Sequence, residues 1–239
     1  ADGRRSRADR AANRCSPDRS QSVKPFTRIT SVAAFLDEDA VDTDIIFPAR
    51  FLLLLDKVGL GKHAFHERRH KPSGEKFILD TPPYDRAQIF VAQKNFGTGS
   101  SREQAVWALV DFGIRCVIAE SFGEIFFANC YKNGVLPIVA SGEKLAAIRR
   151  AAGEAQEITV DLPSQTIQLA DGTAISFDID PYRKNALLNG LDDIGMILAD
   201  DIEDIRAFEE RQRRESPWLY LGADKLSHFD DLEKENALG

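Results

Sequence analysis

Two serines, an arginine and a glutamate stand together at Ser100-Ser101-Arg102-Glu103, directly after Gly97-Thr98-Gly99. A hydroxyl becomes a base or nucleophile once its proton is removed, and a guanidinium fork grips a carboxylate or phosphate through two parallel N–H bonds. The segment before them, Gln88 to Ala92, is short, β-branched and apolar, as a strand buried on both faces would be. After them, Ala105, Val106, Ala108, Leu109 and Phe112 recur at three- and four-residue intervals, which predicts an amphipathic helix that Gly113 ends. A second apolar strand from Arg115 to Ala119 completes a βαβ crossover. Such a unit aims its helix N-terminus at the carboxyl edge of the sheet, where unpaired N–H groups and the helix dipole attract anions.

A plainer reading fits part of the pattern. Ser100 with Glu103 three residues on is a capping box, the hydroxyl capping the helix and the carboxylate closing the box. Capping accounts for Ser100 and Glu103 but not for Arg102, because a cation in the first turn opposes the helix dipole and needs a negative partner. A noncatalytic anion-binding module would use the same loop, although the Lys-Ser/Thr of a phosphate-binding P-loop is missing after Gly99. A second motif, His66-Glu67-Arg68-Arg69-His70, spells H-E-x-x-H, in which two histidines one turn apart hold zinc and the glutamate is general base. Two arginines between the histidines repel a dication, and Lys71-Pro72-Ser73-Gly74 ends any helix at once, so this motif reads as a solvated decoy.

With 239 residues and 43% hydrophobic composition the chain can bury a substantial core. Its longest apolar run, Phe51 to Leu55, falls far short of the roughly 20 residues that span a bilayer, and no secretory apolar region stands near the N-terminus. Cys15, Cys116 and Cys130 are scattered and form no C-x-x-C pair, which predicts a reducing, cytoplasmic setting and no metal or cluster held by this chain. Cys116 sits in an apolar strand, where a thiol is a small hydrophobe. Net charge is −7, yet residues 1–28 carry eight Lys/Arg against three Asp. Residues 1–25 are therefore expected to be a disordered basic extension; lacking aromatics to stack bases, it points to neither nucleic acid nor membrane.

From Phe26 to Gly142 the chain reads as one α/β unit. Val41-Asp42-Thr43-Asp44-Ile45-Ile46-Phe47-Pro48 places two carboxylates before a short apolar strand that Pro48 stops. Residues 56–83 read as a long functional loop with some helix, 121–133 as a helix, 135–139 as a strand, and Ser141 as the cap of a helix through Ala152. Alternation over 158–162, 166–169 and 174–179, with Asp171-Gly172 as a tight turn, predicts an antiparallel meander. Asp180-Pro181 supplies an N-cap and a proline at the first position of a helix to Asn189. A charged helix is expected over 201–214 and a flexible tail from 222.

Taken in order, these segments resemble one family, the small subunit of 3-isopropylmalate dehydratase in the aconitase superfamily. The matching pieces are Val41 to Pro48, Asn95-Phe96-Gly97-Thr98-Gly99-Ser100-Ser101-Arg102-Glu103-Gln104-Ala105, Phe112-Gly113-Ile114-Arg115, Ser121-Phe122-Gly123-Glu124-Ile125-Phe126, Asn133-Gly134-Val135-Leu136-Pro137 and Leu188-Asn189-Gly190-Leu191-Asp192-Asp193-Ile194-Gly195. The resemblance implies an α/β fold, a swivelling β/β/α domain of the aconitase type over residues 26–221. It implies a large-subunit partner that carries a [4Fe-4S] cluster, a hydroxy-dicarboxylate substrate, and isomerisation of 2-isopropylmalate to 3-isopropylmalate by dehydration and rehydration in leucine synthesis. In that scheme a cluster iron is the Lewis acid for the hydroxyl, and this subunit supplies the base.

Carried over by resemblance, Ser100 is the catalytic serine acting as an alkoxide, Asp44 an acidic active-site residue, and Ser101 and Arg102 the substrate-carboxylate ligands. Arg50, Phe51, Leu52 and Leu53 fall in the segment that selects the substrate's side group. Its leucines suit an apolar isopropyl pocket, and equally suit a core. Arg69 matches a family arginine, with Arg68 in place of the tryptophan before it, and Thr98 stands where the family commonly has cysteine. The small subunit of a homoaconitase-type, citraconate-type or dimethylmalate dehydratase stays open as the alternative reading.

Overall fold

The computed structural model describes residues 23–54 and 56–220. The extension expected over 1–25 lies outside the described residues up to residue 22, as does the whole of the tail expected from 222. The chain forms two compact units, one ending at Gly195 and one beginning at Met196.

The first unit is built on a seven-stranded mixed sheet in the order β4-β3-β2-β1-β5-β6-β7. Strands β1 (Arg28–Phe35), β2 (Ile89–Val91), β3 (Cys116–Ala119) and β4 (Leu136–Val139) run parallel. On the other side of β1, strands β5 (Glu157–Asp161), β6 (Thr166–Gln168) and β7 (Ala174–Ser176) form the antiparallel meander expected from alternation. β2 and β3 are buried throughout, which is why their sequences are continuous rather than alternating apolar runs.

Successive residues of these strands enter two separate cores. Ala34, Phe90, Val117 and Ala119 point to a face covered by helices α3 (Glu103–Phe112) and α4 (Glu124–Lys132) together with the long loop before β2. Ala33, Ile89, Val91, Cys116 and Ile118 point to the other, covered by α5 (Gly142–Gly153) and α6 (Pro181–Asn189). Gly113 closes α3 at φ 116°, a left-handed conformation. The Asp180 carboxylate accepts the Arg183 N–H at 3.0 Å and Pro181 follows at the first helical position, as expected. Ser141 stands at the N-cap of α5 but its hydroxyl makes no capping bond.

Three expectations are corrected. The short apolar strand expected before Pro48 does not form: the segment folds into the one-turn helix α1 (Thr43–Ile46), because the Asp42 carboxylate accepts the Ile45 N–H at 2.8 Å and closes the turn. The loop that follows contains a second one-turn helix, α2 (His66–Arg69). The charged helix, α7 (Asp193–Glu215), begins at Asp193 rather than near 201, with the Asp192 carboxylate accepting the Gly195 N–H at 2.7 Å. The third correction, to the capping box, belongs to the site.

Candidate active site

β1 and β2 are parallel, so the loops leaving their carboxyl ends emerge on one edge of the sheet and meet there. The Thr43 N–H donates to the Thr98 carbonyl at 2.9 Å, and the Gly97 N–H to the Val41 carbonyl at 2.7 Å. This stitching brings α1 against the glycine loop. Gly97 is required by space as well as by its φ of +72°: a Cβ there would lie 2.1 Å from the Phe126 ring.

The capping box does not form. Helix α3 starts at Glu103, its N-cap is Arg102, and no side chain caps it. Glu103 instead accepts from Trp107 Nε1 at 3.1 Å and from Asn133 Nδ2 at 2.8 Å. Ser100 lies just outside the helix, exposed, its hydroxyl 3.2 Å from Thr43 Oγ1. Tertiary bonds to the Val41–Thr43 segment outweigh the local capping pattern and leave Ser100 available. Ser101 is exposed and makes no side-chain hydrogen bond among the described residues.

Arg102 finds its negative partner inside the chain. Its guanidinium, 18% exposed, pairs with the Asp44 carboxylate and has no other side-chain partner among the described residues. That hydrogen bond, aided by the charge of Arg102 and by the Ala49 N–H, holds the Asp44 carboxyl below its ordinary pKa despite some opposing desolvation. Asp44 is therefore ionised throughout the neutral range. Ser100, Ser101 and Asp44 are exposed along one edge, with the half-buried Arg102 beside them and only one of its N–H groups bonded to a described side chain.

The other sequence-derived residues are placed differently. Phe51 and Leu52 are partly buried against the core, whereas Leu53 is 90% exposed. Arg50 turns towards α2, with NH2 2.5 Å from Glu67 Oε1 and 2.8 Å from His66 Nδ1. Arg69 is structural: it donates to Asp80 from Nε at 2.9 Å and from NH2 at 2.6 Å, and to the Gly61 carbonyl at 3.1 Å. Arg68 pairs with Glu38.

A family model described as the Aconitase C-terminal domain matches residues 23–143, and one for the C-terminal domain of the 3-isopropylmalate dehydratase small subunit matches residues 193–221. A further model, LeuD_N, matches 149–181. The 3-isopropylmalate dehydratase small subunit of Paramagnetospirillum magneticum is 50% identical over 202 residues, 82% of this chain and 100% of that protein. The chain belongs to the 3-isopropylmalate dehydratase small-subunit family. The protein of that name from Neisseria meningitidis serogroup B is 45% identical over 214 residues, 84% of this chain and all of its own. A crystal structure of 3-isopropylmalate dehydratase (leuD) from Methanocaldococcus jannaschii superposes with a TM-score of 0.58 at 26% identity, covering 75% of this chain and 99% of that one. As a member of the 3-isopropylmalate dehydratase small-subunit family, the chain is a hydro-lyase subunit of leucine biosynthesis, and the noncatalytic anion-binding alternative is not favoured.

For a family of the aconitase type, the iron–sulfur cluster must be matched against the donors at hand. Among the described residues no group of three or more His, Cys, Asp or Glu could hold a metal ion. Cys116 and Cys130 are fully buried, and desolvation pushes both thiols far above their ordinary pKa, so neither is a thiolate at neutral pH. These residues do not fit a cluster. One residue of the site went unread in the sequence: Thr43, only 2% exposed, which contacts both the carbonyl and the hydroxyl of Ser100. Its signal was its place beside Asp44 in the capped turn.

Proposed function

We propose that this chain converts 2-isopropylmalate to 3-isopropylmalate together with a large subunit that carries a [4Fe-4S] cluster, and that Ser100 is its base. The observation that carries the reading is a hydroxyl left uncapped at the edge where Asp44 fixes Arg102. In this reading Ser100, as alkoxide, takes a proton from the carbon next to the one bearing the hydroxyl. Loss of the hydroxyl gives the alkene, water returns across the double bond with the positions exchanged, and Ser100 gives the proton back.

An alkoxide needs stabilising, because a serine hydroxyl ordinarily ionises far above neutral pH. The positive end of α3 and the Arg102 guanidinium supply that stabilisation, with Thr43 Oγ1 within 3.2 Å of the Ser100 hydroxyl oxygen. Arg102 and Ser101 hold a substrate carboxylate, the guanidinium keeping Asp44 on one side of its fork and taking the substrate on the other. Asp44 fixes the direction of that fork and keeps the pair neutral overall until substrate arrives. Arg50, Phe51, Leu52 and Leu53 select the side group, with exposed Leu53 best placed to touch an isopropyl. The cluster and its chemistry belong to the large subunit.

The reading is tested by reconstitution. The purified chain alone should produce no alkene from either isomer, and addition of a cluster-loaded large subunit should restore alkene absorbance and isomer exchange. Turnover by the isolated chain would overturn it.

A further inference from the structure

After Phe51 and Leu52, which pack partly against the core, Leu53 is 90% and Leu54 41% exposed. The placement of these two leucines depends on the anchors on either side of them. On the N-terminal side the Ala49 N–H donates to Asp44 at 3.2 Å and Arg50 pairs with Glu67. On the C-terminal side the nearest side-chain tie to the body of the domain among the described residues is Lys57. Its ammonium lies 4.7 Å from the centroid of the Trp107 ring and 3.3 Å from Asn133 Oδ1.

This tie ends in a built polar cluster. Asn133, 8% exposed, faces Lys57 with its oxygen, which leaves its NH2 to donate to Glu103 Oε1 at 2.8 Å and to the Asn129 carbonyl at 3.0 Å. Trp107 Nε1 donates to the same Glu103 oxygen at 3.1 Å, which turns the indole so that its face receives the cation. Glu103 opens helix α3 and directly follows Arg102. Lys57 is thus referenced to the same turn of helix that carries the candidate site.

We propose that Lys57 is a positioning residue for substrate choice: through Trp107, Asn133 and Glu103 it sets where Leu53 and Leu54 stand relative to helix α3, and so which side group is accepted. The proposal rests on the reading of Arg50 to Leu53 as the selecting segment. Lys57 touches no reacting atom, so its loss should act on discrimination and leave the chemistry in place.

The experiment compares kcat/KM of the assembled enzyme for 2-isopropylmalate and for the 2-methyl homologue in the wild type, Lys57→Met, Lys57→Arg and Leu53→Ala. Lys57→Met should lower the isopropyl-to-methyl ratio about tenfold, through KM for the isopropyl substrate, with kcat for the methyl substrate unchanged. Lys57→Arg, which keeps the cation over the indole, should restore the ratio. Leu53→Ala should shift it in the same direction as Lys57→Met. A normal ratio in Lys57→Met beside a shifted one in Leu53→Ala would leave the selecting segment standing and overturn the role of Lys57. A normal ratio in Leu53→Ala would remove the selecting segment, and the proposal with it.

Discussion

The glycine loop at Gly97–Arg102 and the histidine cluster at His63–His70 both carry residues suited to catalysis, and the structure treats them in opposite ways. In the cluster the Nδ1 atoms of His66 and His70 and one oxygen of Glu67 are used internally. His66 Nδ1 meets Arg50, His70 Nδ1 is 2.8 Å from the His66 carbonyl, and Glu67 is paired with Arg50. The rings of His66 and His70 stack at 4.1 Å, and Phe51 stacks on His63 at the same distance. In the loop Ser100 has only Thr43, Ser101 has no side-chain partner among the described residues, and Arg102 spends one N–H on Asp44. A motif offers chemistry to a substrate only in so far as the fold leaves its atoms unspent.

Ser100→Ala probes the contrast most strongly. Turnover of the assembled enzyme should fall between about 100- and 10,000-fold, the usual contribution of a positioned base. Because Ser100 caps nothing, thermal or denaturant unfolding should show a loss below about 0.5 kcal/mol, smaller than the roughly 1 kcal/mol of a true N-cap. Normal turnover with a cap-sized stability loss would return the serine to a structural role. Arg102→Lys keeps charge beside Asp44 but loses the planar fork, and kcat/KM should fall about 10- to 100-fold. Unchanged kinetics would remove Arg102 from the carboxylate site.

On the cluster side, the double variant His66→Ala/His70→Ala should keep most of its dehydratase activity, and the isolated wild-type chain should bind no stoichiometric zinc. Metal present in the wild type and lost in the double variant would break the contrast. The smallest effect is on stability against pH. Desolvation, reinforced by neighbouring cations and imidazoles, holds His63 and His66 below their ordinary pKa of 6.5 in the folded chain. Between the folded and unfolded values the unfolded chain binds more protons, so this contribution to stability is full above pH 6.5 and declines as pH falls through the folded values. Denaturant midpoints measured from pH 7 to 5 should drift downward, and His66→Gln should flatten that drift. An unchanged drift in the variant would take His66 out of the effect.

Most of the fold was legible because it obeys simple periods. β2 and β3 read as continuous apolar strands, α3 as a three-and-four repeat ended by Gly113, and the meander as alternation about Asp171-Gly172. What misled was local pattern where tertiary bonds decide. Ile45-Ile46-Phe47 has strand composition, yet the Asp42 carboxylate bends it into a turn. Ser100 and Glu103 have capping-box spacing, but bonds from Val41 and Thr43 draw the glycine loop outward, while Trp107 and Asn133 claim the glutamate. The pairing of Arg102 with Asp44 joins distant parts of the chain, which no local pattern reports.

Strand β1 lies at the seam between the parallel half of the sheet and the meander, and that position has a consequence for synthesis. It leaves the ribosome before every other described strand, yet Ala33 has no partner until Ile89 is made, and Ser31 none until Ile158. Until Ile89 is made the nascent chain carries this strand with both edges open, and until β5 follows at Glu157–Asp161 one edge stays open, a template for pairing with neighbouring chains. Yield at elevated expression should therefore depend on chaperone supply more than on the stability of the finished protein.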